Sequence, residues 1–141
     1  MTAGSLKRPL MRLKLRRVWL ILGFGFVLFV VYLSLTPSRP DLGGPAPWKV
    51  GHVLAYTWLM LWYAQLYESL STRIILAVLF CLMGVGLEYL QRLTDYRTFA
   101  YFDMLLNSCG VAMGFVLGYT PLQHMLASVE GWMSRRVLTK P

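Results

Sequence analysis

Residues 18–36 read VWLILGFGFVLFVVYLSLT, nineteen positions without a charge. At about 1.5 Å per residue, a helix of that length crosses a hydrocarbon core of roughly 30 Å. Three further apolar runs follow, Val50 to Tyr67, Ile74 to Tyr89 and Phe102 to Tyr119, each with aromatic ends of the kind that sit at headgroup level. The expected fold is an all-α membrane protein, a bundle of four transmembrane helices.

Composition agrees with that reading. Of 141 residues, 57% are hydrophobic and 14% charged, against about 25% charged in a soluble domain. The first apolar run is longer than the roughly 7–15 residues of a secretory signal core, and no small-x-small cleavage site follows it, so it reads as an uncleaved anchor. Lys7, Arg8, Arg12, Lys14, Arg16 and Arg17 precede it, which predicts a cytoplasmic N-terminus. Four crossings return the C-terminus to the same side, where Arg135, Arg136 and Lys140 lie. On this topology the outer segments hold only Arg39, Lys49, Arg92 and Arg97. The net charge of +8 then reflects topology and attraction to anionic lipid, and nucleic-acid binding is not expected.

Three segments follow: a basic leader over 1–17, a membrane domain over 18–120 and a cytoplasmic tail over 121–141. Residues 37–48 carry four prolines and two glycines in twelve positions, which predicts an irregular outer loop. The short inner loop ESLSTR makes the second and third spans antiparallel neighbours. In the tail, Leu122, Met125, Leu126, Val129 and Met133 recur at spacings of three and four, as in an amphipathic helix on the inner leaflet. Cys81 and Cys109 fall within spans and read as packing residues.

The polar residues inside the spans converge on the outer end. Lys49, His52 and Tyr56 share one face of the second span; Glu88, Gln91 and Arg92 close the third; Asp103 and Asn107 open the fourth. The inner ends hold Gln65, Glu68, Ser69 and Arg73, which look like boundary residues. Lys49 alone could snorkel and Asp103 alone could cap its helix. Glu88 is harder to dismiss, because an anion is disfavoured at a helix C-terminus and intramembrane carboxylates usually face a bundle interior. Gly110, Gly114 and Gly118 extend the Asp103–Asn107 stripe at spacings of four, and Gly84 precedes Glu88 by four. Small residues at that interval let helices approach closely, whereas Gly23 and Gly25 read as incidental.

With those residues in view, the chain resembles the VanZ-like family of small bacterial membrane proteins. The resemblance rests on VYLSLTP (31–37), WKVGHVLAYTWL (48–59) and GLEYLQRLTDYRTFAYFDMLLNSCGVAMG (86–114). Carried over by position, the family's polar residues correspond to Lys49, His52, Glu88, Gln91, Arg97, Asp103 and Asn107. The family often has an acidic residue before the lysine, where this chain has Trp48. The resemblance implies a cell-envelope role in a bacterial plasma membrane, related to glycopeptide (teicoplanin) resistance.

Two functions stay open. One is binding, with Lys49, Arg92 and Arg97 attracting an anionic group and the partners being membrane lipid, a lipid-linked cell-wall precursor or a lipoglycopeptide. The other is an enzyme acting on a lipid headgroup, with His52 or Glu88 as general base. No His-Glu-x-x-His or Gly-x-Ser-x-Gly motif occurs, and His124 lies at the other end from His52. No metal site and no cofactor are expected. A transport path would need a homo-oligomer of such short helices.

Overall fold

The computed structural model describes residues 13–37, 45–94 and 101–138. Most of the basic leader, the tip of the first loop and the tip of the hairpin, Arg97 included, lie outside the described residues. The chain is helical: α1 (Arg16–Leu35), α2 (Pro45–Leu66), α3 (Leu70–Arg92), α4 (Tyr101–Leu117), a 3-10 turn (Pro121–His124) and α5 (Met125–Leu138). α1 and α3 are long and apolar enough to cross a membrane. α4 reaches that standard only jointly with the helix after it, from which it is bent by 75°. α2 is as long as its neighbours, but its polar and aromatic residues lower its apolar character; most of its lower half is buried among other helices.

Local chemistry sets the boundaries. α1 stops where Thr36 turns extended (ψ 135°) before Pro37, as a residue preceding proline prefers. α2 begins inside the proline-rich segment that was expected to be irregular throughout. Pro45 and Pro47 lie in its first turn, where a helix has no use for the missing N–H. The link between α2 and α3 is shorter than expected, since Arg73 already belongs to α3.

The helices alternate in direction, which gives the bundle two ends. The basal end gathers the α1 N-terminus, the α2–α3 turn and α5; the apical end gathers the α1 C-terminus, the α2 N-terminus and the α3–α4 hairpin. α2 forms the centre, with Tyr56, Leu59, Met60 and Ala64 buried against Phe80 and Val111. Outside this core, Ile21, Phe24, Leu28, Leu54, Val78, Leu82, Leu105 and Val116 all stand exposed. An apolar belt that broad is foreign to a soluble monomer and suits a hydrocarbon surround.

The glycine stripe brings α4 onto α2. A Cβ at Gly110 would lie 2.5 Å from the Val53 carbonyl oxygen, one at Gly114 would strike the Thr57 carbonyl oxygen, and one at Gly118 would lie 2.7 Å from Ala64 Cβ. Thr57 Oγ1 adds a 3.1 Å hydrogen bond to the Gly110 carbonyl. Gly23 differs from the incidental role expected of it: its missing Cβ makes room for the Trp62 ring (2.8 Å), whose indole N–H donates to the Trp19 carbonyl at 3.0 Å. Gly25 meets nothing within 4 Å.

Polar residues staple the basal end. Arg73, 2% exposed, donates to the carbonyls of Tyr67 (2.7 Å), Ala64 (2.7 Å) and Gly118 (3.0 Å). It thereby caps the C-termini of α2 and α4 with a cation, the charge their dipoles favour. The boundary role expected for it was too modest. Gln65 reaches α5, accepting from the Leu126 N–H at 2.9 Å.

At the α1 N-terminus the charge is reversed. The Glu130 carboxylate of α5 accepts from Lys14 N–H (2.8 Å), Leu15 N–H (2.9 Å) and the Trp19 indole (2.6 Å). The tail stripe is accordingly split. Leu126 packs with Trp19, Trp62 and Leu66, and Met133 flanks that cluster, while Leu122, Val129 and Trp132 stay exposed.

Burial pushes the Glu130 carboxyl up, but the hydrogen bonds from Leu15, Trp19 and Lys14, with the Lys14 charge, hold it below its ordinary 4.5. A depressed folded pKa stabilises the fold fully above the unfolded value and loses that contribution as pH falls through the folded one. Thermal unfolding in detergent is expected to become easier as pH drops below 4.5, and Glu130→Gln is expected to lack this acid-sensitive increment. An identical pH profile for the two proteins would show that the carboxylate cap does not stabilise the fold.

Candidate functional site

The apical end assembles side chains from three helices. α2 enters with His52 and, one turn later, Tyr56. α3 arrives with Gly84 and Glu88 on one face, and α4 leaves the hairpin with Asp103 and Asn107 one turn apart. Because the glycines of α4 draw it against α2, and Gly84 draws α3 against Asn107 (3.1 Å from a hypothetical Cβ), these faces meet.

His52 Nδ1 lies 2.9 Å from Asn107 Oδ1, and its Nε2 lies 3.8 Å from Asp103 Oδ2. One donor atom each from His52, Glu88 and Asp103 falls within 4.8 Å of the others. Glu88 is 1% exposed, whereas the side chains of His52 and Asp103 are 15% and 22% exposed. The Glu88 carboxylate is therefore the most buried of the three, and His52 and Asp103 are partly open to the surface. Such an arrangement can hold a cation, accept hydrogen bonds from a polar ligand, or move a proton at the imidazole.

Other expected site residues occupy the rim or serve packing. Lys49 is exposed, its Nζ 5.0 Å from the centre of the Phe102 ring, a cation–π placement. Gln91 is buried and donates to the Ser34 carbonyl of α1 at 2.7 Å, tying α3 to α1. Arg92 is exposed at the end of α3. Tyr56 was placed on the polar face by spacing but not among the site residues, yet its hydroxyl is buried beside Gly84 and Asn107. Its spacing from His52 was the signal in the sequence, but an aromatic in an apolar span reads first as a packing residue.

A lateral crevice leads to this cluster. A cavity of about 120 Å³ between α1 and α2 is bordered by Val30, Leu33, Ser34, Trp48, His52 and Tyr56. It adjoins a groove of about 340 Å³ along the same seam, walled by Phe26, Phe29, Leu54 and Trp58 and sharing Val30, Leu33 and Ala55 with the crevice. A larger cavity, about 410 Å³, opens at the basal end between Arg16, Tyr67, Glu68 and His124. Several polar groups there are already engaged: Gln65 holds α5, and Arg16 sits over the Tyr67 ring. The apical cluster is the better candidate.

The chain resembles one fission-yeast protein. Over 102 residues it is 29% identical to an uncharacterized protein of Schizosaccharomyces pombe, covering 69% of this chain and 61% of that protein. The chain thus spans less than two thirds of that relative's length. No protein-family model matches the chain, and no solved structure does.

Proposed function

We propose that this chain is a VanZ-like cell-envelope membrane protein with four spans, which binds an anionic, lipid-linked ligand at an outer-facing apical site. The single observation that carries the reading is the continuity of an apolar groove between α1 and α2 with the His52–Asn107 cluster. A groove open to hydrocarbon accepts an acyl or polyprenyl chain, and the polar mouth above it receives a headgroup. Lys49 and Arg92 on the rim attract a phosphate or carboxylate, a role the sequence also leads one to expect of Arg97. A lipid-linked cell-wall precursor and a lipoglycopeptide such as teicoplanin share this chemistry.

In this orientation both termini are cytoplasmic, α2 is the fourth span's partner at the bundle centre, and α5 lies along the inner leaflet, as its 75° bend from α4 supports. Leu93, 81% exposed at the apical end, reports the topology. In a background with Cys81 and Cys109 replaced by Ala, Leu93→Cys is expected to react with an impermeant thiol reagent on intact cells. Labelling only after lysis would reverse the orientation.

Lipids co-purifying with the wild-type chain and with a His52→Ala/Glu88→Gln double variant test the ligand. Mass spectrometry is expected to find a phosphate-bearing lipid enriched on the wild type and lost from the variant, with membrane insertion intact. Equal lipid content would remove the binding reading. The close approach of His52 to Asp103 and Glu88 also favours a second reading, acid–base chemistry on a lipid headgroup. Conversion of the bound lipid by purified protein would establish that reading instead.

A further inference from the structure

The apical cluster holds more than a hydrogen-bonding surface. His52, Glu88 and Asp103 come from three different helices, yet one donor atom from each lies within 4.8 Å of the others. His52 Nε2 and Asp103 Oδ2, at 3.8 Å, are too far apart for a hydrogen bond. Two ligands that share a metal ion at about 2.0–2.2 Å stand roughly 3–4 Å from each other. The observed gap falls in the range of two ligands on one ion.

The imidazole is also oriented for that role. An amide oxygen can only accept, so with Asn107 oriented as in the structure the 2.9 Å contact places the proton on His52 Nδ1. Nε2 then faces Asp103, and in a neutral imidazole it is the nitrogen that carries the lone pair. Metal-bound histidines are held in this way, by an acceptor at the other ring nitrogen.

An independent observation comes from Tyr56. Its hydroxyl is buried in a residue 2% exposed and has no hydrogen-bond partner among the described residues. It lies in the cradle over Gly84, where a Cβ would be 3.3 Å from it and 3.1 Å from Asn107 Nδ2, one turn from Glu88. A buried hydroxyl is costly to leave unsatisfied, and a water held on an ion in the cluster would satisfy it.

We propose that His52, Glu88 and Asp103 bind one divalent transition-metal ion, Zn²⁺ or Mn²⁺, with Asn107 positioning the imidazole and the Tyr56 hydroxyl facing the ion's remaining shell. One imidazole with two carboxylates suits these ions, whereas Ca²⁺ and Mg²⁺ prefer oxygen alone. A dication also suits two carboxylates gathered at one end of an apolar bundle. Three protein ligands leave positions open to water or, if the lipid reading holds, to a phosphate oxygen.

The test uses the full chain in detergent, stripped with a chelator and titrated separately with Zn²⁺ and Mn²⁺, with bound metal counted by mass spectrometry after gel filtration. One ion per chain is expected. His52→Ala, Glu88→Gln and Asp103→Asn are each expected to weaken binding about 100-fold or more, and Asn107→Ala about 10-fold, as for a residue that orients a ligand. His124→Ala, at the basal end, is expected to bind as wild type. Co²⁺ titration of the wild type is expected to give visible d–d bands that His52→Ala abolishes. Circular dichroism of each stripped variant identifies any that fail to fold, and the wild-type titration decides regardless of them. Failure of the stripped wild type to take up either ion would overturn the proposal, as would equal losses in His124→Ala and His52→Ala. Stoichiometric metal on protein carrying no lipid would sustain the metal site and count against the lipid reading alone.

Discussion

Arg73→Ala is expected to destabilise the folded chain by about 3–5 kcal/mol, read as a lower midpoint of thermal or SDS-induced unfolding in detergent. Three backbone carbonyls depend on this one guanidinium, and hydrogen bonds to a charged group contribute roughly 1.5–3 kcal/mol each. They share a donor group, so the three losses do not simply add. Alanine also removes the cation 5.0 Å over the Tyr119 ring. Ala64, Tyr67 and Gly118 lie at the C-terminal ends of α2 and α4, where carbonyls lack helical partners, so the substitution strands them. Arg73→Lys keeps the charge but replaces a planar fork by a single point of donation, and about half the loss is expected to remain. Arg16→Ala, which removes an exposed guanidinium over Tyr67, is expected to cost under about 1 kcal/mol. Equal stability of Arg73→Ala and Arg16→Ala would show that the basal end does not depend on this clamp.

Arg73 also shows where sequence reading runs out. An arginine at the start of an apolar run looks like a topology anchor, and no local pattern announces that two helix ends will close around it. The same holds for Glu130, which caps α1 across more than a hundred residues of chain. Nothing near it in sequence distinguishes it from a solvated charge on the polar side of an amphipathic tail. Gln91 was legible as a polar residue at a helix end, but its turn towards Ser34 depends on where α1 lies. By contrast, the apical cluster was legible because helical periodicity is a local property. Spacings of three and four put His52 with Tyr56, Gly84 with Glu88, and Asp103 with Asn107 on common faces before any packing is known. The glycine stripe then supplied the missing tertiary information, since close approach needs small residues in register. The apolar runs gave the helices to within a few residues at most ends, the exception being α2, whose first turn uses prolines that composition alone assigns to a loop.

That dependence of the site on the stripe leads to a second large effect. Gly114→Val is expected to prevent the native seam between α2 and α4 from forming, and Gly114→Ala to cost about 1–3 kcal/mol, the range for overpacking a filled interior. The atoms in the way cannot swing aside. A Cβ at Gly114 meets the Thr57 carbonyl oxygen, with Met60 Cβ at 2.8 Å and Leu61 N at 3.0 Å, all on or next to the α2 backbone. Relief requires α4 to move bodily away from α2. Such a shift also loosens the packing at Gly110 and Gly118 and the Thr57–Gly110 hydrogen bond. It separates Asp103 and Asn107, on α4, from His52 on α2, although position 114 lies about two turns below Asn107 and about three below Asp103. Gly114→Ala is therefore expected to weaken metal or lipid capture at the apical end more than its stability loss alone accounts for. Gly25→Ala is the control: its Cβ meets nothing within 4 Å, and replacing a helical glycine favours the helix by up to about 1 kcal/mol. If Gly114→Ala proves as stable as Gly25→Ala and captures ligand as wild type does, the close seam is not what assembles the site.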